Sequence, residues 1–122
     1  MPASGDLNDK QFDEFRKNTT GKFIALFHAT YCRYCKGFMP VWEAKVKSIP
    51  DATFARVDIT DDNSTCWIEF GITAVPTLIL FDNGKPVEKT ISTPVNVVNE
   101  KDIDSMIAKC RLTRQSVTSL SS

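Results

Sequence analysis

Cys32-Arg33-Tyr34-Cys35 places two thiols one helical turn apart, a spacing at which they can interconvert as dithiol and disulfide. Upstream lies the apolar run Phe23-Ile24-Ala25-Leu26-Phe27, and downstream Phe38, Val41, Trp42, Val46 and Ile49 recur at helical spacing. The pair therefore stands where a buried strand gives way to an amphipathic helix. Unpaired backbone N–H groups and the macrodipole at such a helix start favour an anion, and the thiolate is the reactive form. Cys32 is the candidate nucleophile. Cys35, on the same face one turn on, is placed to attack a mixed disulfide formed at Cys32.

The neighbouring residues suggest how the pair is tuned. Arg33 and Lys36 put positive charge near Cys32, which favours its thiolate and makes the disulfide a better oxidant. Tyr34 lies between the cysteines and Tyr31 just before them, so both are candidates for a surface that meets a protein substrate. His28 is the single histidine of the chain and either moves a proton at the site or packs. A zinc site would need about four ligands. Besides the pair, only Cys66, Cys110 and His28 are on offer, without ligand spacing, so no metal is expected. Asp58, Asp61 and Asp62 read as strand-end and cap residues, and Trp42 and Trp67 as packing. Cys66 and Cys110 read as small core residues on different helices.

The elements that must hold this site can be read along the chain. A short strand ends at Leu7. Asn8 and Gln11 form a capping box for a helix carrying Phe12 and Phe15. A strand over about 22–28 leads to the long helix, about 32–49, with Pro40 inside it. Strand 53–59 precedes a short helix that opens at Asp61-Asp62-Asn63-Ser64 and ends near Gly71. Thr77-Leu78-Ile79-Leu80-Phe81 is a central strand, and Asp82-Asn83-Gly84-Lys85 turns tightly into an edge strand from Pro86 to Ile91. Asn99 caps a last helix with the stripe Ile103, Met106, Ile107 and Cys110. This alternation predicts an α/β architecture, a mixed sheet with helices on both faces and the cysteines at the carboxyl end of a central strand. Residues 1–112 form one domain, and 113–122 is expected to be a flexible Ser/Thr-rich tail.

Composition excludes several function classes. In 122 residues, 15 basic side chains balance 15 acidic ones, so no basic face for nucleic acid or anionic membrane is indicated. No apolar run approaches the roughly 20 residues that span a bilayer. The N-terminal residues have no signal-peptide pattern, and four cysteines are few for a disulfide framework. Both point to the cytoplasm. The sequons Asn18-Thr19-Thr20 and Asn63-Ser64-Thr65 point instead to a secretory lumen, reached if a leader has been removed.

From about residue 5 to 111 the chain resembles the thioredoxin family. The likeness rests on Phe27-His28-Ala29-Thr30-Tyr31-Cys32-Arg33-Tyr34-Cys35-Lys36, Pro40, Gly71-Ile72-Thr73-Ala74-Val75-Pro76-Thr77 and Phe81-Asp82-Asn83-Gly84. It implies the thioredoxin fold, with a central mixed sheet of about five strands, and a cis Pro76 packed against the cysteines. It also implies that the Val75 backbone pairs with an extended substrate. The implied activity is thiol–disulfide exchange on disulfide-containing proteins without a cofactor. A recycling reductase such as thioredoxin reductase would restore the enzyme, which is expected to be a monomer. The chain departs from the family in four places. Tyr31 replaces tryptophan, Arg33-Tyr34 replaces Gly-Pro or Gly-His, Leu26 stands where the family places a carboxylate, and Ser92-Thr93-Pro94-Val95-Asn96 replaces a loop glycine. Tyr34-Cys35 is similar to the glutaredoxin pairing, but the glycine pair of a glutathione site is missing. Two other readings stay open: a secretory disulfide isomerase-like domain, and a non-catalytic binding module on the same scaffold.

Overall fold

A computed structural model describes residues 6–121, with side chains described as far as residue 110. In chain order the elements are β1 (Asp6–Leu7), α1 (Asp9–Asn18), β2 (Lys22–His28), α2 (Arg33–Ser48), β3 (Phe54–Asp58), α3 (Thr65–Glu69), β4 (Thr77–Asp82), β5 (Lys85–Ile91) and α4 (Glu100–Ser121). The five strands form one sheet in the order β1-β3-β2-β4-β5. β3 runs parallel to both β1 and β2, whereas β4 is antiparallel to β2 and to β5. This is the mixed five-stranded sheet that the alternation of patterns predicts.

Side-chain alternation along β2 divides the core in two. Phe23, Ala25 and Phe27 face one layer with Phe12 of α1 and Cys66 of α3, joined by Phe70 just beyond it. Ile24 and Leu26 face the other, with Phe38 and Trp42 of α2 and Ile103, Met106 and Ile107 of α4. Cys66 lies in the first layer and Cys110 packs against the second, so the sheet separates them. In the first layer the ring of Phe12 meets Phe15, Phe23, Phe27, Phe70 and Phe81, mostly edge to face.

Local chemistry fixes most element ends. Asn8 Oδ1 accepts from Gln11 N–H at 2.8 Å while Gln11 Oε1 accepts from Asn8 N–H at 2.9 Å, completing the capping box of α1. Asn83 (φ 52°) and Gly84 (φ 84°) adopt the left-handed pair that a tight β4–β5 turn requires. Pro86 lies on the edge strand opposite Phe81, beside a register shift between Leu80 and Phe81. Asn99 Oδ1 accepts from Lys101 N–H and Asp102 Oδ2 accepts from Asn99 N–H, which starts α4. α4 is bounded by Glu100 and Ser121. At the other end, Lys45 of α2 binds Glu100 and Asp104, tying α4 to the helix that carries the cysteines.

Phe12→Ala removes the hub of the ring cluster and leaves a cavity. It is expected to cost about 3–5 kcal/mol in urea unfolding. A loss below about 1 kcal/mol would show that the cluster repacks around the gap.

Candidate active site

Cys32 is the N-cap residue of α2, with extended backbone angles (φ −88°, ψ 116°). Its Sγ accepts the N–H of Cys35 at 3.1 Å, so a sulfur occupies the place that an Asn or Ser oxygen takes in an ordinary cap. The S–H of Cys32 also approaches the Val75 carbonyl at 3.4 Å. Ala29 completes the loop by accepting Cys32 N–H at 3.2 Å. Ala29, Cys32 and Cys35 form a small cluster of their own, and Val75 packs against it. Both cysteines are free thiols, Cys32 8% exposed and Cys35 2%.

The two sulfurs are electrostatically unequal. Burial, together with its bond to Cys32, pushes the Cys35 thiol up to about 12, against a smaller opposing effect of the Ala29 amide. Leu26 lies in the apolar layer below, so the family's carboxylate position is filled by hydrocarbon. The Val75–Pro76 bond is cis. Pro76 is buried and Val75 half-buried.

Around the cysteines, Tyr31 (61% exposed) and Tyr34 (57%) present large apolar surfaces to solvent. Partial desolvation, followed by the charges of Asp62 and the two sulfurs, raises the Tyr31 phenol, which places all three near its ring. Arg33 and Lys36 are exposed on the first turn of α2, where solvent and salt weaken their fields.

His28 is buried, but its bond runs elsewhere. Its Nε2 lies 2.7 Å from Asp6 Oδ1, and that carboxylate also binds Arg56 Nε at 2.6 Å. Arg56 in turn pairs with Glu43. Among the described residues no hydrogen bond joins the imidazole to either sulfur, although Ala29, next to His28 in the chain, contacts Cys35. Asp58 stands near His28. Burial raises its carboxyl, but the Thr60 hydroxyl and amide, aided by His28, hold it below the ordinary value.

The structure thus brings Tyr31, Cys32, Cys35 and Val75 together, leaves Arg33, Tyr34 and Lys36 on the rim, and assigns His28 to a separate carboxylate. The sequence reading missed two residues. Asp6 reaches His28 only through the parallel β1–β3–β2 register. Ser92, whose loop was expected only to depart from the family's glycine, bonds the Pro76 carbonyl through its hydroxyl at 2.7 Å. No signal in the sequence alone marks either contact. Among the described residues no group of three or more His, Cys, Asp or Glu side chains is arranged to hold a metal ion. No helix among them is long and apolar enough to cross a membrane.

Comparison with known proteins gives a concordant result. The family model described as Thioredoxin matches residues 4–109. The thioredoxin of Chlamydia muridarum is 35% identical over 88 residues, covering 72% of this chain and 78% of that protein. The thioredoxin of Mycoplasmoides gallisepticum is 33% identical over 84 residues, covering 68% of this chain and 83% of that one. Fasciola hepatica thioredoxin superposes with a TM-score of 0.71 at 26% identity, covering 84% of this chain and 93% of that structure.

A thiol whose pKa is near 12 stays protonated and inert at lower pH. Of the pair, only Cys32 is therefore expected to react with iodoacetamide between about pH 7 and 10. Equal labelling of both at pH 8, by peptide mass mapping, would overturn this asymmetry. Burial likewise pushes the Cys66 thiol up to about 12. Both thiols stay neutral in the fold and ionise near 9 once unfolded, so stability is expected to fall as pH rises from about 9 toward 12.

Proposed function

Since this chain belongs to the thioredoxin family and is a thiol–disulfide oxidoreductase, we propose that it acts on protein disulfides through Cys32 and Cys35. The observation that carries this reading is the Cys35 N–H held 3.1 Å from Cys32 Sγ at the start of α2. Cys32 attacks one sulfur of the substrate disulfide, forming a mixed disulfide and releasing the other substrate sulfur as a thiolate that takes up a proton. Cys35 then loses its proton and attacks the Cys32 sulfur. The second substrate thiol leaves, and two electrons and two protons have passed from enzyme to substrate. A reductase such as thioredoxin reductase must return them. No organic cofactor enters.

The substrate is an extended polypeptide held against Val75 and Pro76, with Tyr31 and Tyr34 as apolar contacts beside the reacting sulfur. In the dithiol, the Val75 carbonyl faces the Cys32 S–H. Once Cys32 is bonded to substrate that hydrogen is gone, and the carbonyl can accept a substrate N–H instead. Arg33, Tyr34 and Lys36 tune the couple from the rim. His28, held by Asp6, acts on the couple only indirectly, through Ala29, the next residue, whose backbone contacts Cys35. The unit that carries out this chemistry is residues 1–112, and 113–122 is an appendage to it.

The enzyme works as a monomer without nucleic acid or membrane. Its compartment is the cytoplasm, the reading favoured by four cysteines being few for a disulfide framework. The secretory lumen is the alternative, favoured by sequon residues Asn18 and Asn63, both exposed.

Two experiments test this reading. Insulin reduction is expected to vanish in Cys32→Ser, while Cys35→Ser accumulates a mixed disulfide with the substrate, visible on non-reducing gels. Retained turnover in Cys32→Ser would sink the assignment. Equilibration with glutathione is expected to give a potential between roughly −270 mV and −120 mV. Arg33→Gly should lower it by on the order of 10–20 mV, the size of a surface charge effect. A potential at or below about −270 mV removes the tuning role of Arg33.

A further inference from the structure

The loop after β5 is mostly exposed, yet its first residue, Ser92, is 6% exposed. The Ser92 hydroxyl donates to the Pro76 carbonyl at 2.7 Å, and its N–H reaches the same oxygen at 3.3 Å. The oxygen of that hydroxyl accepts the N–H of Val98 at 3.0 Å. One side chain therefore joins the proline loop, the end of β5 and the approach to α4. Between Ser92 and Val98 the loop closes on itself, with Thr93 N–H donating to the Asn96 carbonyl and Asn96 N–H to Thr93 Oγ1, both at 2.9 Å. Ser92 is thus the base of a clamp whose exposed tip carries Val95.

A glycine here would still donate its N–H but would lack the hydroxyl. A buried side-chain oxygen that both donates and accepts fixes geometry more tightly than packing alone, because each lost bond strands a polar group away from water. The Pro76 carbonyl is one peptide from the Val75 carbonyl that faces Cys32. Any rotation of the Pro76 peptide would shift the backbone next to the reacting sulfur.

We propose that Ser92 is a positioning residue for polypeptide substrates, its hydroxyl holding the Pro76 carbonyl and with it the Val75 backbone on which the substrate strand is bound. This rests on the reading that Val75 and Pro76 hold that strand. A disulfide too small to reach past Cys32 gains nothing from the clamp, whereas an extended chain does.

The test compares Ser92→Ala, Ser92→Gly and Ser92→Thr with the parent on insulin and on the small disulfide 5,5′-dithiobis(2-nitrobenzoate). Ser92→Ala and Ser92→Gly are expected to raise KM for insulin on the order of fivefold or more, the loss of about one hydrogen bond, with kcat nearly unchanged. The small disulfide should react within about twofold of the parent rate, and Ser92→Thr, which keeps the hydroxyl, should restore the insulin KM. An unchanged insulin KM, an equal loss on both substrates, or a Thr variant as impaired as Ala would overturn the proposal. Two replacements without the hydroxyl keep the comparison available if one of them folds poorly. Turnover by the parent that survives Cys32→Ser would instead strike at the underlying reading, and so is told apart from a failure of Ser92 alone.

Discussion

A backbone N–H donated to sulfur at the start of α2 is the contact on which the site depends. The first amides of any helix lack intrahelical partners, and here one of them is given to Cys32. The same bond aims a backbone donor at the Cys32 sulfur and keeps Cys35 on the adjoining turn. Helix, strand and proline loop can be understood as supports for that arrangement. β2 brings the chain to the helix start, Ala29 anchors the Cys32 amide, and Val75 closes the far side. Burial holds the Cys35 thiol in its neutral form beside Cys32.

Much of this was legible in the sequence because it is local. The capping box of Asn8 and Gln11, the bounds of β2, the left-handed Asn83-Gly84 turn and the Cys32 cap each depend on a few consecutive residues whose chemistry permits little else. Cys32 and Ile49, read as the ends of the long helix, are its two caps. β3 begins and ends one residue inside the predicted span, since Thr53 and Ile59 only flank it.

What escaped was non-local. Asp6 finds His28 because β1 and β2 both pair with β3, an alignment that no spacing rule encodes. Arg56 is drawn into the same cluster and bridges to Glu43 of α2. The loop from Ser92 to Asn96 stood out as replacing a glycine, but only the meeting of three segments makes the Ser92 hydroxyl a structural bolt.

The margins of the sheet carry a consequence for how this fold meets other chains. One margin is β1, only two residues long; the other is β5, interrupted by a register shift beside Pro86 and carrying Lys85, Glu88 and Lys89. Neither offers the long, flat row of free amides on which a foreign strand could be templated. A foreign strand that meets either margin is thereby steered away from indiscriminate sheet extension and the co-aggregation that follows it.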